Sequence, residues 1–312
     1  MSRHLLTLDD LSPTEIEELF DLAATLKAKR QQGAPHALLA GKTLAMIFEK
    51  PSLRTRVTFE AGMTQLGGHA VYLAPADIRL GERETVQDAA RNLERWVDGI
   101  LARTFSQQMV ERLARYSRVP VINGLTDSHH PVQILCDLFT LWERRRPLTG
   151  LKVVFVGDGN NVCHSWLQGA AKLGLAFTLA CPESYEPDPA VLAQAQDQAT
   201  VSGARLAVTR DPLAAVREAD VVYTDVWTSM GQEEERLRRL RDFQPYQVDR
   251  GLLAAAGPRA LVMHCLPAHR GEEISDEVMD GPQSIIFDQA ENRLHMQKAI
   301  LVRLLGGKDL KA

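Results

Sequence analysis

The sequence predicts an α/β protein of two domains, each built on a parallel-type sheet that is flanked by helices. The chain has 312 residues, which is long for one hydrophobic core, and 45% of them are hydrophobic. Short apolar runs alternate with longer helical patterns, as is typical of βαβ units. The alternation pauses at Pro147 and Gly150 and then begins again. We therefore expect a first domain over residues 1–148 and a second over residues 149–290.

The first predicted domain opens with a well-marked helix. Ser12 is a suitable N-cap, Pro13 fits the first helical position, and Glu15 completes a capping box. Four apolar runs are then expected to form strands: TLAMIF, HAVYLA, GILAR and VPVINGL. Helices are expected to begin near Leu53, Thr85 and Ser106, and a longer one to run from about Pro131 to Arg146.

The second predicted domain repeats this alternation. Six runs are expected to form strands: KVVFVGD, LAFTLAC, ARLAVT, DVVYTDVW, ALVMHCL and SIIFDQ. The chain then continues as ENRLHMQKAILVRLLG, whose apolar residues recur with helical spacing. We expect this C-terminal helix, residues 291–312, to return to the first domain.

Composition and charge exclude several classes of protein. A net charge of -4 provides no strongly basic surface, so we expect no nucleic-acid partner. No window approaches 18 uninterrupted apolar residues, so we expect no membrane-spanning helix. The four cysteines form no CxxC pair, and the N-terminus lacks the apolar core of a signal peptide. This pattern favours a reducing compartment, and we expect the cytoplasm.

The stretch FEKPSLRTRVTFE, residues 48–60, predicts an anion site. A predicted strand ends there and a helix begins, so unpaired backbone N–H groups and the positive end of the helix dipole face the end of the strand. Ser52 and Thr55 add hydroxyl donors, and Arg54 adds a planar fork that matches phosphate oxygens. Spacing alone leaves a plain alternative open, a capped helix with two surface arginines.

Two further strand ends carry residues of the same chemistry. Arg103 ends the run GILAR, and His130 and Gln133 follow the run VPVINGL. Because ligands collect at the carboxyl ends of parallel strands, we expect the three loops to meet at one edge of the sheet. Arg103 and His130 are suited to donate to a carbonyl oxygen as negative charge develops on it. Alone, His130 is more often structural; with the arginines, a functional role is favoured.

The stretch VVFVGDGNNV resembles a dinucleotide fingerprint only in part. Gly157 and Gly159 fit the pattern, but Val162 occupies the third glycine position. The next predicted strand has no acidic residue at its tip to hold a ribose. A dinucleotide-dependent dehydrogenase is therefore a weaker alternative, and the side-chain amides of Asn160 and Asn161 are suited to a small polar ligand.

Two later loops complete the candidate second site. In DVVYTDVWTSMGQ, Asp225 is suited to bind an ammonium group, and the backbone near Ser229 and Met230 is suited to bind a carboxylate. In VMHCLPAHR, Cys265 is either a nucleophile or a small residue in a tight turn. The neighbouring His264 and His269 suggest zinc, but no matching ligand set follows at a useful spacing, so we expect no metal.

Taken in order, these stretches resemble the aspartate/ornithine carbamoyltransferase family, and its ornithine branch in particular. SLRTR and HPVQ are similar to the carbamoyl-phosphate motifs of that family. DVWTSMG is similar to its ornithine loop, and HCLPAHRGEEIS to the late loop that closes the site. FDQAENRLHMQKA resembles the start of its final helix.

The resemblance implies roles for individual residues. For carbamoyl phosphate it implies Ser52, Leu53, Arg54, Thr55, Arg79, Arg103, His130, Gln133, Cys265, Leu266 and Arg293. For L-ornithine it implies Asn161, Asp225, Ser229 and Met230. Catalysis itself would rest on Arg54, Arg103, His130, Asp225 and Cys265. Arg79 departs from the glutamine that is common in relatives, and Leu53 replaces a common threonine.

The resemblance also implies an activity and an assembly. The carbamoyl group of carbamoyl phosphate would pass to the δ-amine of L-ornithine, giving L-citrulline and phosphate, with no metal or organic cofactor. A homotrimer or a higher assembly of trimers is implied, in which a loop containing Arg79 reaches the site of a neighbouring subunit. Three alternatives stay open: a sibling transferase that uses putrescine, aspartate or N-acetylornithine, the dehydrogenase, and a sensor that binds small anions without turnover.

Overall fold

Four apolar runs form one parallel sheet in the first half of the chain. The computed structural model describes residues 4–306. The strands are β1 (Thr43–Phe48), β2 (His69–Leu73), β3 (Gly99–Arg103) and β4 (Val121–Leu125). Their order is β2-β1-β3-β4, so β2 is an edge strand and is only partly buried. β1 and β3 lie in the middle of the sheet, where their apolar residues are covered on both faces.

Helices flank this sheet at positions that local sequence signals mark. They are α1 (Pro13–Gln31), α2 (Leu53–Gln65), α3 (Pro75–Ile78), α4 (Val86–Leu93), α5 (Gln107–Tyr116) and α6 (Pro131–Arg144). The predicted capping box is present, because Ser12 accepts from the backbone N–H of Glu15 and the Glu15 carboxylate accepts from that of Ser12. Thr85 likewise caps α4.

A second parallel sheet of five strands follows. Its strands are β5 (Lys152–Val156), β6 (Ala176–Ala180), β7 (Arg205–Thr209), β8 (Val221–Thr224) and β9 (Leu261–His264), in the order β7-β6-β5-β8-β9. The helices are α7 (Asn161–Leu173), α8 (Pro189–Ser202), α9 (Pro212–Val216), α10 (Arg236–Asp242), α11 (Arg250–Ala256) and α12 (Asp276–Met279). The core contains a buried aromatic cluster, in which Trp166 packs on Phe177 and Tyr223.

The predicted strand SIIFDQ is wrong, because this stretch opens the last helix, α13 (Ile286–Leu305). Ser284 forms a single parallel bridge with Val262 before the chain turns. Ile285 and Ile286 are both buried, which a half-covered strand with alternating faces does not allow. Within α13, the side chain of Gln289 accepts from the backbone N–H of His264 at 3.0 Å and so satisfies a donor of β9.

The chain divides into two compact units. The first comprises Met1–Phe139 together with the residues from Glu291 onward, and the second comprises Thr140–Ala290. The prediction that the C-terminal helix returns to the first domain is confirmed. Lys27 donates to the side chain of Asn292 at 2.8 Å. Residues 307–312 of the predicted helix lie outside the described residues, and the predicted limits at 148 and 149 stay a prediction.

No helix within residues 4–306 is both long enough and apolar enough to cross a membrane.

A lysine is buried where α13 packs in the first unit. The side chain of Lys298 is fully buried, and its stem lies against Gly62 of α2. Its Nζ lies 3.2 Å from Nε2 of His36, whose Nδ1 lies 2.8 Å from the carbonyl oxygen of Ala34. Nδ1 therefore donates to that carbonyl and Nε2 accepts from the lysine. Burial, and then the charge of Arg30, lower the pKa of Lys298 to about 8.

We predict that Lys298→Met raises the free energy of unfolding at pH 7, by about 1 to 3 kcal/mol. The folded-state pKa of about 8 lies below the ordinary value of 10.5. The folded state therefore binds fewer protons than the unfolded state between these values, and the cost of the lysine is largest below pH 8. The advantage of methionine should shrink as the pH rises toward 10.5. Denaturant unfolding at pH 7 and at pH 10 measures both effects.

Lys29→Met, at a partly exposed position of α1, is the control and should change the free energy of unfolding little. A Lys298→Met protein that is less stable than the parent at pH 7 would mean that the ammonium group makes a net favourable interaction.

Candidate functional site

Three loops of the first unit lie side by side at the carboxyl ends of β1, β3 and β4. These strands are parallel neighbours, so their ends share one edge of the sheet. Ser52 caps α2 directly after β1, and its hydroxyl accepts from the backbone N–H of Thr55 at 3.2 Å. Arg103 is the last residue of β3, and His130 precedes α6 after β4. The order of the strands thus brings the predicted anion-binding residues to one edge.

Positive charge surrounds His130 at this edge. The ring is almost completely buried, and this burial holds its pKa well below the ordinary value of 6.5. The charges of Arg293, Arg103 and Arg54 lower that pKa further, in this order. His130 is therefore neutral at pH 7, and its imidazole is suited to hydrogen bonding without adding a charge. The arrangement is suited to an anion with several oxygen atoms.

Arg293 links three helices of the first unit around this edge. It lies on α13 and is 3% exposed. One of its terminal nitrogens donates to Oε1 of Gln133 on α6, and the other donates to Oγ1 of Thr55 on α2 at 2.8 Å. Gln133 in turn donates to Asp137 at 2.8 Å. The predicted ligands Thr55, Gln133 and Arg293 therefore form one buried network, although 238 residues separate the first from the last.

Asp225 is the centre of a second polar network, which lies in the second unit at the end of β8. Its carboxylate is buried and accepts three hydrogen bonds. Oδ1 accepts from the backbone N–H of Val226 at 2.8 Å and from Sγ of Cys265 at 2.9 Å. Oδ2 accepts from Nδ2 of Asn160 at 2.8 Å. These donors fix the carboxylate in one orientation, which suits it to hold a cationic or polar ligand.

Asn160 is a residue that the sequence analysis underrated in favour of Asn161. Its Oδ1 caps α7 by accepting from the backbone N–H groups of Val162 and Cys163, while its Nδ2 reaches Asp225. The Asx signal before a helix was visible in the sequence. The contact of Asn160 with Asp225 depends on the pairing of β5 with β8, so it could not be predicted from the sequence.

His264 and Glu273 form a fully buried pair that the sequence analysis also did not assign. Nε2 of His264 lies 3.0 Å from Oε1 of Glu273, and Nδ1 accepts from the backbone N–H of Leu266 at 2.8 Å. The ring therefore carries its hydrogen on Nε2 and donates to the carboxylate. This chain of contacts fixes the backbone of Cys265 and Leu266, where Leu266 adopts a φ of 59°.

The geometry gives a reason to set the zinc reading aside. Asp225, His264 and Cys265 place one potential ligand atom each within 4.8 Å of one another. Each of these side chains is already engaged in hydrogen bonds within the protein. Sγ of Cys265 donates to the carboxylate of Asp225, and a neighbouring negative charge does not favour a thiolate nucleophile.

The loop after β8 carries Ser229 and Met230, and Arg239 of α10 stabilises it. Nη1 of Arg239 donates to the backbone carbonyl of Trp227 at 2.9 Å and to Oδ2 of Asp158 at 2.7 Å. Burial raises the pKa of Asp158 to about 6, and the charge of Arg239 opposes this rise. Within the loop, the backbone N–H of Ser229 donates to the side chain of Gln232.

Gly159 explains why the partial fingerprint does not indicate a dinucleotide. A Cβ atom at this position would lie 2.3 Å from the backbone nitrogen of Pro187 and 2.8 Å from the carbonyl oxygen of Tyr185. The backbone N–H of Gly159 donates to that carbonyl at 2.9 Å. The glycine therefore serves the close approach of a segment of the same chain, in place of a pyrophosphate.

Some predicted residues lie outside these networks. Arg79 is exposed at the C-terminal end of α3, where it lines an open hollow with Ala76, Glu82 and Arg83. Leu53 is the first residue of α2 and its side chain is 74% exposed, so only its backbone is suited to a ligand. Cys265 and Leu266 belong to the second unit, and their part in carbamoyl-phosphate binding stays a prediction.

The fold and the two candidate sites are those of a two-domain α/β enzyme, with arginines gathered at the edge of one parallel sheet and a buried carboxylate at the edge of the other. Two family models match the chain. Residues 3–143 match the carbamoyl-P binding domain of aspartate/ornithine carbamoyltransferase, and residues 149–304 match its Asp/Orn binding domain.

Individual relatives agree along the whole length. An ornithine carbamoyltransferase of Pyrococcus abyssi is 53% identical over 98% of this chain and 96% of its own length. The structure of ornithine carbamoyltransferase from Pyrococcus furiosus superposes with a TM-score of 0.96 at 51% identity, over 99% and 98% of the two chains. That of ornithine transcarbamoylase from Giardia lamblia gives 0.89 at 36% identity over the full length of both. The chain belongs to the aspartate/ornithine carbamoyltransferase family.

We predict that Arg293→Met raises the pKa of His130, because a nearby positive charge that disfavours protonation is removed. The pKa should stay below the ordinary value, since burial remains. The variant should also lose stability, by about 1 to 3 kcal/mol, because buried oxygens of Gln133 and Thr55 lose a donor. Histidine NMR titration, with the signal assigned through His130→Gln, measures the first effect and thermal unfolding the second.

Arg303→Met is the matched control on the same helix. Its ion pair with Glu18, at 2.6 Å, is partly exposed and should contribute little. An unchanged pKa of His130 in the Arg293→Met protein would contradict the electrostatic account of this site.

Proposed function

We propose that the chain transfers the carbamoyl group of carbamoyl phosphate to the δ-amine of L-ornithine, giving L-citrulline and phosphate. One observation carries this proposal. An arginine-rich anion site in the first unit and the fixed carboxylate of Asp225 in the second occur together in a chain 53% identical to a full-length ornithine carbamoyltransferase. We assign the reaction to arginine biosynthesis, since a P. furiosus relative 52% identical over 305 residues carries the name "Ornithine carbamoyltransferase, anabolic".

In the proposed step, the neutral δ-amine attacks the carbonyl carbon of carbamoyl phosphate. A C–N bond forms, the bond from this carbon to the bridging oxygen breaks, and phosphate leaves with that electron pair. The proton of the attacking amine passes to the departing phosphate. No covalent bond to the protein and no metal or organic cofactor enters the step.

The first unit supplies electrostatic support for this step. Arg54 and the backbone N–H groups at the start of α2 hold the phosphate. Arg103 and His130 donate to the carbonyl oxygen as negative charge grows on it. Because burial keeps His130 neutral, its imidazole donates to the carbonyl oxygen without adding a positive charge. The phosphate group is therefore left to the arginines. Ser52, Thr55, Gln133 and Arg293 complete the binding of this substrate.

The second unit holds the amino-acid end of ornithine. The carboxylate of Asp225 pairs with the α-ammonium group, and Asn161, Ser229 and the backbone of Met230 bind the α-carboxylate. The backbone carbonyl groups of Cys265 and Leu266 orient the δ-amine. The bonds of His264 to Leu266 and Glu273 keep this stretch of backbone in place. Positioning of both substrates then supplies much of the rate gain.

We predict citrulline formation with L-ornithine and no carbamoyl transfer to putrescine, aspartate or N-acetylornithine. Putrescine lacks the groups that Asp225 and the Ser229 loop would bind, and an acetyl group removes the charge that Asp225 would pair with. Colorimetric assay of the carbamoylated products, with each acceptor in parallel, measures this selectivity. Asp225→Asn should raise the KM for ornithine much more than the KM for carbamoyl phosphate.

Arg103→Ala is the matching variant for the carbamoyl-phosphate site. It should lower kcat by about two orders of magnitude or more, because a hydrogen-bond donor to the developing oxyanion is lost. Turnover with another acceptor would keep the donor site and overturn the ornithine assignment. A folded chain that binds carbamoyl phosphate without turning over any acceptor would instead be an anion sensor.

We propose the cytoplasm as the location of this enzyme. The cysteines Cys136, Cys163, Cys181 and Cys265 are all buried and none of these four forms a disulfide, which fits a reducing compartment.

We also propose that three copies of the chain form a homotrimer. Leu53 and Val57, four residues apart on one face of α2, are 74% and 51% exposed, which is unusual for large apolar side chains beside a polar site. In this assembly the loop that contains Arg79 reaches the carbamoyl-phosphate site of a neighbouring subunit.

We predict that light scattering of the purified chain gives three times the mass of one copy, or a multiple of that mass where trimers assemble further. Val57→Glu should shift the protein toward single chains and lower activity. A buried charge at the contact would have no partner, which costs association energy. Val201→Glu, at a position of the second unit that is 90% exposed, is the control and should change neither property. A parent protein that is monomeric and fully active would overturn the assembly.

A further inference from the structure

Lys50 is buried next to the anion site, although none of the roles described above uses it. Its side chain lies directly after β1 and is only 3% exposed. A lysine is seldom buried to this extent unless its charge is paired. Here the ammonium group pairs with the carboxylate of Asp127 and lies 4.4 Å from the centre of the Phe105 ring.

The partners of Lys50 come from the other two loops of the anion site. Phe105 follows β3 and Asp127 follows β4, so one side chain contacts all three strand ends. The adjacent backbone strengthens this connection. The carboxylate of Glu49 accepts from the backbone N–H of Phe105 at 3.0 Å, and the carbonyl oxygen of Phe105 accepts from the backbone N–H of Asp127 at 2.9 Å. We call Glu49, Lys50, Phe105 and Asp127 the loop tie.

Each part of the loop tie is close in sequence to a predicted ligand of carbamoyl phosphate. Lys50 lies two residues before Ser52, Phe105 lies two residues after Arg103, and Asp127 lies three residues before His130. A shift of any one loop would therefore move a donor relative to the other two. Since a displacement of about 1 Å lowers the rate of a positioned reaction strongly, the spacing of these loops matters for catalysis.

The charges at this edge make such a restraint necessary. Arg54, Arg103 and Arg293 all act on His130, so three positive charges lie near one another at this edge. Like charges repel, and the repulsion is largest where water is excluded. Two of these charges, Arg54 and Arg103, lie within four residues of Lys50 and Phe105, so the loop tie restrains the segments that carry them against this repulsion.

We propose that Lys50 is a positioning residue, which holds the three loops of the carbamoyl-phosphate site at fixed spacing through Asp127 and Phe105. This inference rests on the proposed function, because it assigns the site to carbamoyl phosphate. In this role the ammonium group of Lys50 contacts Asp127 and Phe105. The substrate contacts the loops that Lys50 connects. The role differs from that of Arg54 and Arg103, which contact the substrate.

Lys50→Met tests this role because it keeps the length of the side chain and removes the charge. The expected result is a fall of about tenfold or more in kcat/KM for carbamoyl phosphate, with a much smaller change in the KM for ornithine. Asp127→Asn should give a fall of similar size. The kcat/KM of the double variant should be no lower than that of the less active single variant, because both changes break the same contact. Lys50→Arg should restore part of the loss.

Lys42→Met is the matched control. Lys42 lies just before β1, at the opposite end of the same strand, and pairs with Asp98 at 2.8 Å. It lies far along the strand from the anion site, so its loss should leave both KM values unchanged. Should Lys50→Met fail to fold, Asp127→Asn keeps the test decisive, since the Asp127 side chain is 59% exposed.

Two results would overturn the proposal. A large loss in Lys50→Met with normal activity in Asp127→Asn would mean that Lys50 contacts the substrate itself. Equal losses for both substrates, with lower stability and no rescue by Lys50→Arg, would mean a structural role only. Calorimetry with inorganic phosphate separates this inference from the proposed function. A parent chain that forms no citrulline but binds phosphate more tightly than Lys50→Met would retain the tie and discard the reaction.

Discussion

Positive charge held out of water is the constraint on which the first unit depends. Arg103, Arg293 and Lys50 are each at most 6% exposed, and a buried cation is costly unless hydrogen bonds or a counter-charge replace its hydration. The fold meets this need with long-range partners. Arg293 reaches two helices, and Lys50 reaches two strand ends. If carbamoyl phosphate binds there as proposed, its negative charge adds to these partners and raises the stability of the folded chain.

The second unit shows the same design with the opposite charge. Asp225 is a buried carboxylate, and donors from three separate strand ends hold it in place. Behind it, Arg239 and Asp158 form a buried ion pair that supports the loop after β8. Parallel strands make both arrangements feasible, because each strand delivers one loop to the same edge of its sheet.

Local signals were sufficient to predict most of the elements. Capping residues such as Ser12, Ser52 and Thr85 mark helix starts because the relevant hydrogen bonds span only three residues. The run SIIFDQ was predicted as a strand because apolar residues of this length do not distinguish a strand from the start of a helix. Its true conformation depends on β9, which receives the side chain of Gln289.

The anion-binding loop was predictable for a similar reason, since its donors and its helix start are adjacent in sequence. Contacts made across the fold were not. Asn160 with Asp225 and Lys50 with Asp127 need the strand order to be known, and His264 with Glu273 needs the path of the loop after β9. Gly159 is the clearest case, because its role depends on the backbone of Tyr185 and Pro187. The sequence shows the partial glycine motif, but it does not show which segment packs against Gly159.

The return of α13 has a consequence for how the protein is made. Arg293 is synthesised after the whole of the second unit, yet its partners Thr55 and Gln133 lie in the first unit. While the second unit is being synthesised, the first unit therefore carries Thr55 and Gln133 without this donor. The hydrogen bonds that join α2, α6 and α13 form only after β5 to β9 have been synthesised.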